Sequence, residues 1–149
     1  MTSYRGEKTL EVLNGLIKNC MQAEESYRNA AEQIHDENLK QIFIIHAYQK
    51  AEYAAKLKAE VKRLGGTVHK YSYDENIYEP DVNQEAASDL INDCEVREAK
   101  AVQNYEIAMN EDILWEVIPI VSRQYLETQE SYNQIKYLKT NYSESFIHF

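Results

Sequence analysis

A repeated nine-residue pattern constrains the fold of this chain more than any other feature of its sequence. Residues 16–24 read Leu-Ile-Lys-Asn-Cys-Met-Gln-Ala-Glu, and residues 90–98 read Leu-Ile-Asn-Asp-Cys-Glu-Val-Arg-Glu. Both segments follow the pattern Leu-Ile-x-(Asn or Asp)-Cys-x-x-x-Glu. The first begins at residue 16 and the second at residue 90, which is an offset of 74 residues. A repeat at a fixed offset indicates a duplicated structural unit. The pattern therefore predicts a chain made of two similar halves.

The composition favours a single all-α domain. The 149 residues include only four glycines and two prolines, whereas residues with high helix propensity are abundant. A chain of this length buries roughly 70% of the surface that its unfolded form exposes. We therefore expect one domain, residues 1–149, with an apolar core.

The net charge indicates which classes of partner to expect, and the absence of leader and membrane segments indicates the cellular compartment. A net charge of −9 would repel nucleic-acid phosphates and anionic membranes, so we expect neither as a partner. The sequence has no apolar leader segment and no uncharged apolar run of 18 residues, which favours a cytoplasmic protein. The two cysteines form no metal or redox motif, and we expect both to be buried free thiols.

Apolar residues spaced alternately three and four positions apart predict four amphipathic helices. The predicted helices span residues 9–34, 38–64, 82–109 and 113–139. Short polar breaks join the first two helices and the last two, so each pair should form an antiparallel hairpin. Residues 65–81 begin with Gly-Gly and show no period. Their extended reach of about 55 Å exceeds the length of about 39 Å of a 26-residue helix, so this crossover can traverse a whole bundle.

Two glutamates interrupt the apolar stripes at equivalent positions. Glu24 continues the three-and-four spacing of the first helix, and Glu98 lies on the stripe of the third. We therefore expect both carboxylates to point inward at similar depth. A buried carboxylate without a partner costs several kcal/mol, so a cation or a proton should accompany each of them.

The sequence also resembles a bacterial ferritin-like family of unknown function. Three segments of the first half carry the resemblance: residues 13–17 (Leu-Asn-Gly-Leu-Ile), 23–32 (Ala-Glu-Glu-Ser-Tyr-Arg-Asn-Ala-Ala-Glu) and 57–66 (Leu-Lys-Ala-Glu-Val-Lys-Arg-Leu-Gly-Gly). In the second half, Glu98 and Tyr105 are similar to the Glu and Tyr of that family's third helix. The resemblance implies a ferritin-like four-helix bundle, with two hairpins joined by a long crossover, and implies no particular activity.

One hypothesis for the inward glutamates is a dinuclear iron or manganese site. Such a site takes a Glu from each of two helices and a Glu-x-x-His motif from each of the other two. Glu24 and Glu98 meet the first requirement, and His46 and Glu127 are further candidate ligands. The second helix offers Glu52-Tyr-Ala-Ala and the fourth Glu127-Thr-Gln-Glu, so neither contains the required histidine. The missing motifs disfavour this cofactor.

The other hypothesis is a buried ion-pair layer. Lys50 and Arg123 lie on the second and fourth helices near the predicted level of Glu24 and Glu98, and they could neutralise both carboxylates. This interpretation favours a non-catalytic structural, stress-related or interaction protein. The alternative is a dimetal oxidoreductase or an iron-handling protein with a degenerate ligand set. A third hypothesis is an assembly subunit whose function lies on its outer surface.

The sequence is compatible with a homo-oligomer and does not identify a protein partner. Residues 140–149 are polar and then end in Phe-Ile-His-Phe. This tail either closes one end of the bundle, contacts a second subunit or frays.

Overall fold

The protein, seen in a computed structural model, is a bundle of four long helices. The structure describes residues 3–72 and 85–147, with side chains within 3–72 and 87–142. The helices are α1 (Tyr4–Gln33), α2 (Glu37–Arg63), α3 (Glu85–Asn110) and α4 (Ile118–Ile147), and a 3₁₀ turn (Trp115–Val117) precedes α4. The described residues contain no strand. The all-α four-helix architecture predicted from the sequence is confirmed.

Side-chain caps decide where α1 and α2 begin. Ser3 accepts a hydrogen bond of 3.0 Å from the backbone N–H of Gly6, and Asp36 accepts from the backbone N–H groups of Asn38 and Leu39. The predicted start of the first helix at residue 9 is wrong because this cap lies at Ser3. Thr9 lies inside α1, where its hydroxyl donates to the carbonyl of Arg5 at 2.7 Å.

The glycine pair after α2 ends that helix in a Schellman motif. The N–H of Gly65 donates to the carbonyl of Lys62 at 3.0 Å, and that of Gly66 donates to Val61 at 2.9 Å. Gly65 has a φ of 78°, a left-handed conformation that only glycine adopts without strain. The end of the first hairpin is therefore fixed by local sequence.

The fourth helix differs from its prediction at both ends. It begins at Ile118 and not at residue 113, because the chain first makes the 3₁₀ turn, and Pro119 then occupies its first turn. It continues to Ile147, eight residues beyond the predicted end at 139. Residues 140–147 contain neither glycine nor proline, so nothing in the local sequence stops the helix.

Contacts between α1 and α3 show that these helices run antiparallel. Tyr27 bonds to Glu98, and Cys20 contacts Tyr105, so residues later in α1 meet residues earlier in α3. This is the direction that the duplicated-hairpin prediction requires.

The described part of the crossover runs along α1 towards the opposite end of the bundle. The side-chain amide of Asn14 donates a hydrogen bond to the backbone carbonyl of Thr67 and accepts one from the backbone N–H of His69. Further along, the hydroxyl of Tyr71 donates to the Glu25 carboxylate at 2.8 Å. Four residues of crossover thus pass about three turns of helix. Residues 73–81 of the predicted crossover, residues 82–84 of the predicted third helix and the last two residues of the tail lie outside the described residues.

In the part of the chain that the structure describes, the core consists of two apolar clusters. The first contains Leu13, Leu16, Ile17, Cys20, Tyr53, Ala54, Leu57, Val61, Tyr105, Ala108, Ile113, Val117 and Val121. The second contains Tyr27, Ala30, Ala31, Ile34, Leu39, Phe43, Ala47, Ala87, Leu90, Ile91, Cys94 and Ile135. Each cluster holds one cysteine, and both cysteines are buried free thiols. Among the described helices, none is long and apolar enough to cross a membrane.

Candidate functional site

A layer of buried polar side chains lies between the two apolar clusters. On α2 the layer contains His46 and Lys50, which are one helical turn apart and share a face. α1 contributes Tyr27, α3 contributes Glu98, and α4 contributes Gln124. All five side chains are almost completely buried, so the layer cannot exchange its partners for bulk water.

The centre of this layer is an ion pair between α2 and α3. The Nζ atom of Lys50 lies 3.1 Å from Oε2 of Glu98, and the two side chains are only 2% and 1% exposed. The hydroxyl of Tyr27 donates to the other oxygen, Oε1, at 2.5 Å. Each carboxylate oxygen therefore has a donor, and the charge is neutralised inside the low-dielectric core.

Tyr27 and His46 complete the surroundings of the pair. Burial, and then the negative charge of Glu98, raise the pKa of Tyr27 well above its ordinary value, so its hydroxyl remains a donor. His46 stacks on the Tyr27 ring, with centroids 5.2 Å apart and an interplanar angle of 19°. Burial lowers the pKa of His46, so its ring is held neutral. Its Nδ1 atom makes no hydrogen bond to the described residues.

The structure does not bring Glu24 into this layer. Ala23 and Tyr27 take the inward positions of α1, and Glu24 lies at the edge of the helix, where its side chain is 13% exposed. Its carboxylate lies 3.6 Å from Arg28 on the same helix. Glu98 points inward as expected, whereas Glu24 does not. The expectation that the two carboxylates lie at similar depth is therefore wrong.

Arg123 and Glu127 also lie outside the layer. The side chain of Arg123 is 77% exposed and pairs at 3.2 Å with Glu127, one turn further along α4. The predicted role of Arg123 as a buried counter-charge is therefore wrong. Gln124, the next residue of α4, takes the inward position instead because a step of one residue turns the helix by about 100°.

A second polar chain joins α1, α3, α4 and α2. Tyr105 donates to Oε1 of Gln124 at 2.7 Å and contacts the Cys20 sulfur at 3.5 Å. The amide of Gln124 in turn donates to the backbone carbonyl of Tyr53 at 3.3 Å. Burial raises the pKa of both Cys20 and Tyr105, so these groups remain uncharged. This chain positions side chains and leaves no ionised nucleophile.

The buried residues do not fit a dinuclear metal site. Within residues 3–72 and 87–142, no three His, Cys, Asp or Glu side chains come close enough together to hold a metal ion. Of the four candidate ligands, Glu98 is bound by Lys50 and Tyr27, and His46 lies in the same layer. Glu24 and Glu127 pair with arginines at the edge of the bundle. The ammonium group of Lys50 thus provides the positive charge that a metal would provide.

Sequence reasoning missed the roles of Tyr27 and Gln124. Both lie on the apolar stripes of their helices, where Tyr27 resembles an ordinary core aromatic residue. The repeat contains a signal for Gln124, which follows Lys50 by 74 residues as Glu98 follows Glu24. The two halves thus place Lys50 and Gln124 at equivalent positions. Lys50 forms an ion pair with Glu98 of the other half, whereas Gln124 makes hydrogen bonds with Tyr105 and with the backbone carbonyl of Tyr53.

Residues 8–72 match the model of a family described as a domain of unknown function (DUF2383). No curated protein matches the sequence of the chain. The match lies in the first hairpin and the start of the crossover, where the sequence resemblance is also clearest.

Solved structures show a similar fold over nearly the whole chain. A dodecameric thioferritin, the bacterioferritin-related protein from Bacteroides fragilis, has a TM-score of 0.78 and 15% identity, with 97% of this chain and 91% of that chain covered. A ferritin-like, diiron-carboxylate protein from Bacillus anthracis has a TM-score of 0.63 and 16% identity, with 99% and 98% covered.

A third structure contains the fold as part of a longer chain. It is a two-domain protein from Anabaena variabilis with DJ-1/ThiJ/PfpI-like and ferritin-like domains. Its TM-score is 0.73 at 14% identity, and the alignment covers 96% of this chain but only 39% of that one. At these identities the likeness shows the fold alone, and the fold is ferritin-like.

Proposed function

We propose that this ferritin-like four-helix bundle is a non-catalytic structural, stress-related or interaction protein whose buried polar layer stabilises the bundle. The observation that carries the proposal is the Lys50–Glu98 ion pair, at 3.1 Å and almost fully buried. Each oxygen of the Glu98 carboxylate already accepts from a donor, and the Lys50 ammonium group neutralises its charge, so a metal ion would have to displace that ammonium group. The same contacts join α1, α2 and α3 at one level.

The alternative function, a dimetal oxidoreductase or iron-handling protein, requires a different set of side chains. A dimetal centre needs bridging carboxylates and imidazoles directed at a shared position. The Bacillus anthracis protein is named a diiron-carboxylate protein, but in this chain Glu98 faces a lysine, and Glu24 and Glu127 face arginines. These pairs favour the non-catalytic proposal over the alternative.

Metal analysis tests the proposal directly. The protein would be expressed in medium supplemented with iron, manganese and zinc, purified without chelator, and analysed for metal content. We expect a metal content well below one equivalent per chain, and the same value in a Glu98→Gln variant. About two equivalents per chain in the parent, lost in Glu98→Gln, would establish the dimetal alternative.

We also propose that the chain forms a homo-oligomer. Large apolar side chains are exposed on several helices, among them Ile107 on α3 and Leu126 on α4, which are 61% and 60% exposed. The thioferritin of Bacteroides fragilis is dodecameric. Light scattering coupled to size-exclusion chromatography tests this: we expect a mass several times 17.4 kDa. A monomer at about 0.1 mM protein would contradict it.

We further propose that residues 1–149 form one cytoplasmic domain. Two free, buried thiols fit a reducing compartment. The charge of −9 favours protein partners over nucleic acid or anionic lipid.

A further inference from the structure

A hollow between α1, α3 and the crossover has features of an anion-binding site that the polar layer does not explain. Its volume is about 1030 Å³, at the upper end of the range of about 300–1,000 Å³ for small-molecule sites. Helices α1 and α3 form two of its walls, and residues 69–72 of the crossover line it as well. Tyr27, Lys50 and Glu98 are not among the described residues that line it, so a ligand bound there would leave the buried ion pair intact.

The described lining of this hollow is positive. It includes two carboxylates and four bases. The bases are Lys18 on α1, Lys70 on the crossover, and Arg97 and Lys100 on α3. The chain as a whole has a net charge of −9, so the bases are concentrated here against the general charge of the molecule. A cleft lined by one sign of charge raises the local concentration of ligands of the opposite sign.

These four bases lack the counter-charges that bases elsewhere on the surface have. None of them forms an ion pair with a carboxylate of residues 3–72 or 87–142. Most other bases of the described chain are paired, as Lys56 is with Glu52 at 3.0 Å and Lys139 with Glu95 at 2.8 Å. An anion that enters the hollow therefore displaces no carboxylate of the described chain.

Arg97 provides a second, independent observation that points to an anion. Its side chain is half-buried, and its Nη1 atom donates to the hydroxyl oxygen of Ser26, which is its only hydrogen-bond partner among the described residues. Ser26 is itself buried, and its own hydroxyl donates to the carbonyl of Gln22 at 3.0 Å, so its oxygen is oriented to accept from Arg97. The guanidinium is thus held in place by a neutral group. Its other N–H donors and its charge are left for a ligand.

The spacing of the bases on α3 favours a phosphate group. Arg97 and Lys100 are three residues apart on one helix, which places their Cβ atoms about 5–6 Å from each other, so both can contact one group. A phosphate monoester carries about two negative charges at neutral pH and three acceptor oxygens, and the planar guanidinium binds it through two N–H groups. The buried side chains of Ile17 and Ala23 also line the hollow and provide an apolar surface for an organic part.

We propose that the hollow between α1, α3 and the crossover binds an organic phosphate, with the phosphate group on Arg97 and Lys100 and the organic part against Ile17 and Ala23. This inference goes beyond the structural role proposed above, because it assigns a ligand class to a surface separate from the polar layer.

Calorimetric titration with phenyl phosphate tests the inference. The titration would be done at about pH 8, where the phosphate is a dianion, and at about 0.15 M salt, which screens general attraction between charges. We expect saturable binding of one phenyl phosphate per chain and no measurable binding of phenol. Inorganic phosphate should bind more weakly because it lacks the apolar part. Equal affinity for inorganic phosphate and phenyl phosphate would indicate an adventitious ion only and would contradict the inference.

Four variants examine the bases individually. Arg97→Gln and Lys100→Gln should each weaken the affinity by about tenfold. Arg97→Lys keeps the charge and removes the planar fork, so it should also weaken binding, which a general attraction to positive charge would not predict. Lys62 is an exposed, unpaired base on α2 outside the hollow, so Lys62→Gln should bind like the parent. Lys100→Gln should also keep the melting temperature of the parent, because Lys100 has no ion pair to lose within the described chain.

The acidic residues of the crossover are the competing occupant of this hollow. Asp74, Glu75, Glu79 and Asp81 follow the described crossover in the sequence, and residues 73–84 contain no base. A variant with Asn or Gln at these four positions should bind phenyl phosphate within about threefold of the parent, because salt screens the change in net charge.

Three outcomes of these titrations contradict the inference. The first is the absence of saturable phenyl phosphate binding by the parent up to about 10 mM. The second is parent affinity in Arg97→Gln or Lys100→Gln. The third is binding that occurs only in the variant with the neutralised crossover, which would mean that the bases neutralise the chain's own carboxylates.

Discussion

Replacing Lys50 by methionine tests the buried ion pair between α2 and α3. Methionine has a similar length and no charge, so Lys50→Met removes the ammonium group and keeps most of the packing. Glu98 would then retain only the hydrogen bond from Tyr27 to one of its two oxygens. The variant would leave a carboxylate buried and unpaired at the centre of the core.

The expected cost follows from the burial of the pair. Breaking one partner of a buried ion pair typically costs about 3–5 kcal/mol. No reduction for solvent screening is warranted, because the two side chains are 2% and 1% exposed. For a domain of this size a loss of 1 kcal/mol lowers the melting temperature by about 2–4 °C, so Lys50→Met should melt about 6–20 °C below the parent.

Two double variants identify the carboxylate that Lys50 neutralises. Lys50→Met with Glu98→Gln should recover most of the loss, because the unpaired charge is gone and the amide oxygen can still accept from Tyr27. Lys50→Met with Glu24→Gln should recover nothing, since Glu24 pairs with Arg28 at the edge of the bundle. Thermal and urea melts of the parent, the single variant and both double variants provide the comparison.

Three results would refute this reasoning. A Lys50→Met variant within about 1 kcal/mol of the parent would mean that the ion pair contributes little. Equal recovery by the Glu24 and Glu98 double variants would mean that the pairing is not specific. A lower melting temperature of the parent in chelator would mean that a bound metal stabilises the folded state.

Further predictions concern pH, thiol reactivity and a helix end. Burial lowers the pKa of His46 in the folded state, so below about pH 6.5 the unfolded chain binds a proton that the folded chain does not. The free energy of unfolding should therefore fall, as the pH is lowered through this range, by up to about 1.4 kcal/mol per pH unit. His46→Gln should remove that slope in urea melts at pH 7 and pH 5.5. Burial raises the pKa of Cys20 and raises that of Cys94 to about 12, so a thiol reagent at pH 8 should label neither cysteine in the folded protein and both after denaturation. Gly65→Ala should destabilise the protein by about 1–2 kcal/mol in urea melts, because φ at this position is 78°.

Each of these predictions has a control. His35→Gln changes an exposed histidine and should leave the pH slope of the parent unchanged. An unlabelled denatured chain would show that the cysteines form a disulfide. Gly15→Ala places a methyl group in open space on α1 and should stabilise the protein by about 0.5–1 kcal/mol. Equal effects at positions 15 and 65 would contradict the argument from backbone conformation.

The polar layer could be predicted from the sequence only in part. A carboxylate on an apolar stripe identified Glu98, and the need for a counter-charge at the same level identified Lys50. The same reasoning misplaced Glu24 and Arg123. In both cases the structure turns a neighbouring residue, Ala23 or Gln124, towards the core.

The sequence by itself determined the number of helices, their pairing into hairpins and the need for a long crossover. These features depend on local properties: the helical period of apolar residues, the Gly-Gly stop after α2 and the short polar breaks. Only the tertiary structure decided which of two adjacent residues faces inward. Steps of three and four residues turn a helix by about 300° and 400°, so one ends about 60° short of a full turn and the other about 40° beyond it, and both keep a residue near the same face. The ambiguity lies between Ala23 and Glu24 on α1. The helix is turned so that Tyr27 packs against His46 and Glu98, because its aromatic ring buries more apolar surface there than the Glu24 side chain could. Ala23, one turn before Tyr27, then faces inward instead of Glu24.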